Sequence, residues 1–498
     1  MLFIEDHIFR NREKFIKYSL LFYAYPGFLL WNILTTWWIV NSTFIGALLA
    51  NVLNALFMAI VFQAFHWTRK RVPGKAAGYF SLIAFWISFE YLHLNWDLNW
   101  PWLNLGNGFA SWYKVVQWYE YTGALGGTLW VLVGNLFVFF GVNGLKFKVK
   151  GLRFNVWGLG LVLWVLAPVI LSYFIYNQYH EEKNPVHFVV VQPNLDPYSE
   201  QYELPPPQVI GRIMELSRPM LDSTVNFLIA PESAIQENMW ENDLEAFASI
   251  QLLREALRPY PGLNMVVGGS TFYQLHPSEP RPRWARKFTD SDQHYVAFNA
   301  AILVNRTDSL QVYHKSKLTP GVEILPSFGP LSWLERYAID LGGTVGSLGM
   351  DPARKAYTTV NSVKVGPAIC YESIFGDFFA DFVRNGAEVM VIITNDGWWG
   401  NTAGHRQHYA FAHLRAIETR RSIARSANTG ISAFIDQRGD ATQETGYWVP
   451  ATIKGSLNAS KKITFYVQHG DYIARFMTFM TGLMLLSGIG LAIREKYQ

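Results

Sequence analysis

Three residue types that can cooperate in acyl chemistry each follow a short apolar run in this 498-residue sequence. Glu232 follows "NFLIAP", Lys315 follows "SLQVYH", and Cys370, the only cysteine, follows "KVGPAI". A thiol needs a base to become a nucleophilic thiolate, a carboxylate in apolar surroundings can be that base, and a fixed cation can stabilise the oxyanion of a tetrahedral intermediate. The three residues therefore form a candidate catalytic triad, with an inert buried thiol as the alternative.

The elements around these residues predict an α/β domain over residues 180–470. Short apolar runs rich in Val and Ile predict strands at "VHFVVVQ", "VNFLIA", "NMVVGGS", "NAAILV", "KVGPAIC", "VMVIIT" and "ISAFID". Helical patterns at 207–223, 243–258 and 406–425 lie between several of them, which is typical of α/β folds with buried strands. Because a sheet brings neighbouring strand ends to one place, we expect the three candidate residues to lie together.

The rest of the chain has the composition of a membrane protein. No Asp, Glu, Lys or Arg occurs from Tyr18 to Thr68, a run long enough for two membrane helices of about 20 residues each. Further uncharged runs complete a set of six predicted spans. These lie near residues 17–40, 43–66, 76–94, 122–143, 155–177 and 474–493. A membrane bundle over residues 1–179 and a final helix over 471–498 are therefore predicted to flank the α/β domain.

The basic residues predict the orientation of these spans. With six spans, four basic clusters all fall on one side of the membrane, whereas the segment 95–120 on the other side holds only Lys114 as a basic residue. By the positive-inside rule, both termini are cytoplasmic and residues 180–470 lie outside. The Trp-rich segment before the fourth span suits an aromatic belt or the edge of a lipid entrance. The clusters are Arg10, Arg12, Lys14 and Lys17; Arg69, Lys70, Arg71 and Lys75; Lys146, Lys148, Lys150 and Arg153; and Arg494 and Lys496.

Several motifs carry a resemblance to a known family. "LIAPESAI", "YHKSKLTPGVEILP" and "GPAICYES", in this order, resemble the Glu, Lys and Cys motifs of the nitrilase superfamily. The segment from "IITNDGWWGNT" to "ISAFID" is similar to the one that follows the cysteine in a membrane branch of that superfamily, the apolipoprotein N-acyltransferases. The resemblance implies a multi-span α-helical membrane bundle plus an extracytoplasmic α/β nitrilase-like domain, an αββα sandwich.

The resemblance also implies roles for individual residues. Cys370 is implied as the nucleophile, Glu232 as the general base, and Lys315 as the group that stabilises the tetrahedral intermediate. Three further residues are implied as supporting members of the active site: Glu323, Tyr371 and Glu372.

The sequence departs from the family pattern in three places. The usual "PFGE" run reads "PGVE" here, which keeps Glu323 at the same distance from Lys315 but alters the loop. Family members commonly have eight spans, whereas six are predicted here. A Trp that the family places after the first domain strand has no clear counterpart, and Tyr202 or a nearby aromatic residue is the candidate replacement.

The activity implied by the resemblance is N-acylation of lipoproteins. Cys370 would take an acyl chain from a membrane phospholipid as a thioester and pass it to the α-amino group of an S-diacylglyceryl-cysteine on an apolipoprotein, with ping-pong kinetics. No cofactor is expected, because the sequence has no phosphate loop or dinucleotide fingerprint, and this thioester route needs no metal. We expect a monomer in the bacterial cell inner membrane, with a periplasmic catalytic domain and no nucleic-acid partner.

Other sequence features have competing interpretations. His405, His408 and His413 could suggest a metal site, but no carboxylate or thiol is obviously grouped with them, so we expect packing, hydrogen bonding or a place at the site mouth. The arginines near Glu418 are expected to form structural ion pairs rather than to contact nucleic acid. The Trp residues of "NDGWWGNT" suit a loop over the active site or exposed packing. The arginines are Arg415, Arg420, Arg421 and Arg425.

Two other classes of function are alternatives to acyl transfer. A membrane-tethered amidase or nitrilase would use the same triad with water as the acceptor. A transporter or scaffold would carry an inert domain, but the complete triad and the scarcity of charged residues inside the spans argue against transport.

Overall fold

The computed structural model describes residues 1–146, 152–306, 309–324, 347–359 and 363–497. The chain forms two compact units, one of Met1–Gln178 with His469–Gln498 and the other of Tyr179–Gln468. Lys148 and Lys150 of the third basic cluster lie outside the described residues, as do the last two residues of the "YHKSKLTPGVEILP" motif.

The first unit is a bundle of helices. Each predicted span coincides with a helix, because the uncharged runs lack any polar break long enough to end one. Neighbouring helices pack in the order α2, α3, α4 and α5, with α12 against α4 and α6 against α5. The helices are α1 (Leu2–Arg10), α2 (Ser19–Thr36), α3 (Phe44–Arg69), α4 (Lys75–His93), α5 (Tyr119–Lys146), α6 (Leu152–Gln178) and α12 (Tyr472–Tyr497).

Among the described residues of this bundle, four segments are long and apolar enough to cross a membrane. They are Phe44–Arg69, Tyr119–Asn143, Trp157–Gln178 and Tyr472–Tyr497. The other two predicted spans are the helices α2 and α4, which have 18 and 19 residues and fall outside this set. Their passage through the membrane therefore stays a prediction.

A buried carboxylate in α4 has three hydrogen-bond donors. Glu90 accepts from Trp86 Nε1 at 3.0 Å, from the Leu105 backbone N–H at 2.9 Å and from Thr128 Oγ1 at 2.6 Å. A carboxyl group in an apolar bundle is costly unless it is hydrogen-bonded in this way. Glu90 therefore ties the segment that follows α4 to the helix α5.

The second unit contains two β-sheets. Within the described residues the first has eight strands in the order β14-β1-β2-β4-β6-β5, with β3 paired to β4 and β7 to β6, and the second has six in the order β13-β12-β11-β10-β9-β8. The strands are β1 (Pro185–Gln192), β2 (Phe227–Ile229), β3 (Ile235–Trp240), β4 (Asn264–Gln274), β5 (Arg286–Lys287), β6 (His294–Val304), β7 (Gln311–His314), β8 (Tyr357–Thr358), β9 (Lys364–Ile369), β10 (Val389–Thr394), β11 (Ile423–Ala427), β12 (Ala433–Ile435), β13 (Ala441–Thr442) and β14 (Ala451–Asn458).

The two sheets and their helices form four layers. The sheets contact each other through β1 and β11, β2 and β11, and β6 and β9. Two helices pack on the outer face of the first sheet and two on the second, and strands such as β2 and β10 are buried along their whole length. This arrangement confirms the αββα sandwich. The helices are α7 (Pro206–Ser217), α8 (Ala248–Leu257), α9 (Gly376–Arg384) and α10 (Ala403–Thr419), and a short α11 (Phe465–His469) follows.

The seven predicted strands are confirmed, but each of the three predicted helices is wrong at one end: α7 ends at Ser217 rather than at residue 223, α8 begins at Ala248 rather than at residue 243, and the third departs most from the expectation. The pattern at 406–425 predicted a single helix, whereas α10 ends at Thr419 and Arg420 adopts a left-handed conformation with φ of 47°. The following residues form β11, which pairs parallel with β10 and antiparallel with β12. Strand pairing within the sheet therefore overrides the local helical pattern.

Candidate active site

The three candidate residues come from two different sheets. Glu232 follows β2 and Lys315 follows β7, both in the eight-stranded sheet, where β2 and β7 are not neighbours. Cys370 directly follows β9 in the six-stranded sheet. The expectation that neighbouring ends of one sheet would bring the residues together was therefore wrong. The packing of one sheet on the other brings them together instead.

Lys315 is held between two carboxylates. Its Nζ lies 2.9 Å from Glu232 Oε1 and 2.9 Å from Glu323 Oε1. Asn299 Nδ2 donates to the same two oxygens at 2.9 and 3.0 Å. All four side chains are buried. The ammonium group therefore has a fixed position. Asn299, the polar first residue of the run "NAAILV", belongs to this cluster, and the sequence analysis missed it.

The ionisation of this cluster follows from its charges. Burial alone would lower the pKa of Lys315, but Glu232 and Glu323 outweigh it and hold the pKa well above its usual value. Burial would raise the pKa of Glu323, but the charge and hydrogen bond of Lys315 outweigh it and lower that pKa. At neutral pH Lys315 is therefore an ammonium and Glu323 a carboxylate.

The surroundings of Cys370 favour the neutral thiol over the thiolate. Its side chain is 8% exposed, and its backbone is in the left-handed region with φ of 50°. Burial raises the pKa of the Cys370 thiol well above its usual value, and the charge of Glu232 raises it further, against the effects of Lys315 and a hydrogen bond with Thr394. Attack by this sulfur therefore requires a base to take its proton, and Glu232 is the carboxylate whose charge acts most on it.

Glu372 joins the two strand ends that carry Lys315 and Cys370. Its Oε1 accepts from Tyr313 Oη and from the Ser316 N–H, both at 2.7 Å, and its Oε2 accepts from the Ile369 N–H at 2.8 Å. These three donors lie on or beside β7 and β9. The Glu372 side chain therefore links the end of β7 to the end of β9. Tyr371 is also buried and packs edge-on against Phe375, with ring centroids 5.1 Å apart.

Glu372 should make the stability of the protein depend on pH. Burial raises the pKa of Glu372 from 4.5 to about 7, so between these values the folded state keeps a proton that the unfolded state releases. Stability should fall as the pH rises through this window. Glu372→Gln should flatten the decrease in apparent Tm of the full-length protein in detergent between pH 5 and pH 8. The exposed Glu203→Gln is the control, and an unchanged slope in Glu372→Gln would contradict the prediction.

A buried ionic network lies beside Cys370. His408 Nδ1 is 2.9 Å from Asp396 Oδ1, and Arg425 Nη2 donates to Asp396 Oδ2 at 2.8 Å. The Cys370 sulfur, a carboxylate oxygen of Asp396 and a ring nitrogen of His408 all lie within 4.8 Å of one another. The expectation that no carboxylate or thiol accompanies the histidines was therefore wrong, because the packing of α10 against the Cys370 turn joins segments that are separate in sequence.

The Asp396 and His408 groups of this network already have partners within the protein. Arg425 already places a positive charge on the Asp396 carboxylate. His408 Nε2 lies 3.1 Å from the Cys370 carbonyl oxygen, and its Nδ1 faces Asp396, so both ring nitrogens have protein partners. A cation would have to displace these contacts and approach a guanidinium group. Hydrogen bonding within the protein accounts for the cluster.

The remaining arginines of this region are structural. Arg415 pairs with Glu418 at 2.8 Å, which confirms the expected ion pair for this residue. Arg420 instead donates to the Gln437 carbonyl at 2.9 Å, and Arg421 to the Ala387 carbonyl at 2.8 Å. All of these side chains are buried, so they present no surface to a nucleic acid.

An aromatic loop lies against the same group of residues. Trp398 of "NDGWWGNT" packs against Tyr198 and Tyr202, with ring centroids 5.1 and 6.3 Å apart. Burial raises the pKa of Tyr202, and the charges of Glu232 and Glu323 raise it further, so Tyr202 is near the acidic cluster. These contacts favour a loop over the active site rather than isolated surface packing.

Known proteins resemble this chain along most of its length. The sequence matches the family described as Carbon-nitrogen hydrolase over residues 190–461, and the apolipoprotein N-acyltransferase N-terminal domain over residues 6–137. The apolipoprotein N-acyltransferase of Chlorobaculum tepidum is 28% identical over 480 residues, which are 95% of this chain and 88% of that protein. Its counterpart from Geobacter metallireducens is 26% identical over 464 residues, covering 91% and 82% of the two chains.

The solved structures that resemble this chain include a member of branch 10 of the nitrilase superfamily from Saccharomyces cerevisiae. It aligns with a TM-score of 0.40 and 16% identity, covering 55% of this chain and 90% of that one. The fold assignment rests on the two sheets described above and on the family matches. The Carbon-nitrogen hydrolase match spans more than half of this chain. The chain therefore belongs to the carbon-nitrogen hydrolase family, in the branch of the apolipoprotein N-acyltransferases.

Proposed function

We propose that this protein transfers an acyl chain from a membrane phospholipid, through a thioester on Cys370, to the α-amino group of the N-terminal diacylglyceryl-cysteine of apolipoproteins. The observation that carries the proposal is the buried group of Glu232, Lys315 and Glu323, in which the charges of Glu232 and Lys315 act on a single buried thiol. Relatives along most of the chain that bear the name apolipoprotein N-acyltransferase support the same activity.

In the first half-reaction, Cys370 attacks the carbonyl carbon of a phospholipid ester. Glu232 takes the thiol proton as the carbon–sulfur bond forms. Lys315 Nζ stabilises the negative charge on the carbonyl oxygen of the tetrahedral intermediate, and the bond between Glu323 and Lys315 keeps the ammonium in place. The carbon–oxygen bond of the ester then breaks. The glycerol oxygen takes the proton from Glu232 and leaves as a lysophospholipid.

In the second half-reaction, the α-amine of the acceptor attacks the thioester. Glu232 takes a proton from the attacking nitrogen, and Lys315 again stabilises the oxyanion. The carbon–sulfur bond breaks, the sulfur recovers the proton, and the product is an amide. One covalent intermediate shared by two substrates implies ping-pong kinetics. An ester that is already in the bilayer makes a soluble acyl donor unnecessary.

Mass analysis of the intact full-length protein tests this function. Purified protein incubated with phospholipid in detergent should gain the mass of one acyl chain on Cys370 and release one equivalent of lysophospholipid. A synthetic S-diacylglyceryl-cysteine peptide should then remove the adduct and appear as its N-acyl derivative. Release of free fatty acid, with no transfer to the peptide, would contradict the proposal and support a hydrolase.

The proposed location is the bacterial inner membrane, with a periplasmic catalytic unit, cytoplasmic termini and a monomeric chain. The four basic clusters support this orientation through the positive-inside rule. Reporter fusions after Lys75 and Lys150 should be cytoplasmic, and a fusion after Ser199 should be periplasmic. Paired reporters that are active only on opposite sides provide the control. A cytoplasmic signal after Ser199 would refute the proposed topology.

A further inference from the structure

Two side chains contact the backbone carbonyl group of Cys370. Its carbonyl oxygen accepts from Ser373 Oγ at 2.7 Å and lies 3.1 Å from His408 Nε2. The residue itself has φ of 50°, a left-handed conformation that is unfavourable for a residue other than glycine. A left-handed residue at this place persists only if its surroundings hold it. Ser373 and His408 are the side chains that hold this carbonyl.

The hydrogen-bond pattern indicates which nitrogen of His408 carries a proton. The carbonyl oxygen of Cys370 can only accept, and Ser373 Oγ, which lies 3.1 Å from Nε2, already donates its one proton to that carbonyl, so Nε2 is a donor to both oxygens. Nδ1 faces both Asp396 Oδ1 at 2.9 Å and Arg425 Nη2 at 3.2 Å. A charged imidazolium would donate to Asp396, and a neutral ring would accept from Arg425. The Nε2–H bond to Cys370 is common to both forms.

The partners of His408 are themselves fixed. Thr394 Oγ1 donates to Asp396 Oδ1 at 2.9 Å, and Arg425 also donates to the Ile431 carbonyl. Burial would raise the pKa of Asp396, but Arg425 and His408 outweigh it and hold the pKa below its usual range. Asp396 therefore remains a carboxylate that anchors the imidazole ring. A side chain at Gly430 would meet this carboxylate, because its Cβ would lie 2.5 Å from Asp396 Oδ2.

We propose that His408 is a positioning residue for acyl transfer, which holds the carbonyl of Cys370 and keeps the nucleophile in its left-handed turn. The proposal rests on the proposed function only in taking Cys370 as the nucleophile. His408 does not serve as the base in this arrangement, since its Nε2 is directed at the Cys370 carbonyl and its Nδ1 at Asp396 and Arg425. Asp396 and Arg425 act through His408 by fixing the ring.

The same contact should affect the ionisation of the thiol. The groups whose charges act on Cys370 are Glu232, Lys315 and Asp396, and a ring nitrogen of His408 lies within 4.8 Å of its sulfur. An N–H dipole close to the sulfur favours the thiolate. Loss of the imidazole should therefore raise the pH at which Cys370 becomes reactive, an effect that the loss of a purely structural histidine would not produce.

The test is the pH dependence of alkylation of the full-length protein by iodoacetamide. Cys370 is the only cysteine, so the rate reports this thiol alone. His408→Ala should move the midpoint to higher pH and slow acyl-adduct formation by roughly 10²-fold, the loss expected for a misplaced reacting group. His408→Gln should bring the alkylation midpoint and the rate of acyl-adduct formation most of the way back to the wild-type values, because its amide can donate from the position of Nε2. His413→Gln is the matched control, since His413 lies on the same helix and contacts the Gly439 carbonyl at 2.7 Å.

A second pair of variants decides the result if His408→Ala does not fold. His408→Asn can reach Asp396 but not the Cys370 carbonyl, whereas His408→Gln can reach the carbonyl. The midpoint should shift in the Asn variant and stay near the wild-type value in the Gln variant. Equal midpoints in the two, or an unshifted midpoint in folded His408→Ala, would overturn the proposal. Because alkylation needs no lipid or acceptor, a failure of acyl transfer in the wild type would be seen separately.

Discussion

Cys370→Ala is expected to lose the acyl adduct and all acyl transfer. The thiol is the group that forms the covalent intermediate, so its removal should cost on the order of 10⁶-fold in rate, as removal of a nucleophile does in hydrolytic enzymes. The variant should fold, because alanine is smaller than cysteine and can adopt φ of 50° at a similar cost. Intact-mass analysis after incubation with phospholipid measures the adduct, and peptide acylation measures the transfer.

Two observations would separate loss of chemistry from loss of structure in this variant. The circular dichroism spectrum and apparent Tm of Cys370→Ala in detergent should match those of the wild type. Cys370→Ser is the companion variant, because it retains a hydroxyl group of similar size whose nucleophilicity is far weaker than that of a thiolate. Measurable turnover by folded Cys370→Ala would exclude a thioester on Cys370 and, with it, the proposed mechanism.

Lys315→Met and Glu232→Gln are expected to block acyl-enzyme formation for different reasons. Lys315→Met removes the cation that stabilises the oxyanion, a loss on the order of 10²–10³ in rate. It also leaves Glu232 and Glu323 buried without their ammonium, which should destabilise the fold by roughly 3–5 kcal/mol. Glu232→Gln removes the base but keeps the contact between Lys315 and Glu323, so its apparent Tm should decrease less.

The rate of adduct formation and the apparent Tm together distinguish these roles. Both variants should form the thioester slowly, and Lys315→Met alone should show a large decrease in Tm. Glu203→Gln, at an exposed position between β1 and α7, is the matched control for Glu232→Gln. A normal rate of thioester formation in either active-site variant would remove that residue from the mechanism. Equal decreases in Tm would mean that the pairing of Lys315 with Glu323 does not stabilise the site.

The sequence by itself determined the elements of the protein and the identity of its chemical groups. Uncharged runs predict helices, and short Val- and Ile-rich runs predict strands, from residues that lie close together in the chain. This works because helices and strands bury local apolar patterns. The predicted spans and strands therefore coincide with helices and strands of the structure. The motifs around Glu232, Lys315 and Cys370 carried the resemblance to the nitrilase superfamily, which the family matches confirm.

Only the tertiary structure decided how these groups meet. Lys315 and Glu232 are 83 residues apart in the chain, and which strands become neighbours depends on the pairing of whole sheets rather than on any local pattern. For the same reason, Asn299 was not expected beside Lys315, nor Asp396 beside His408. Residues 423–427 are a strand because β10 and β12 pair with them. Local periodicity specifies which elements form, whereas the contacts between distant elements specify the site.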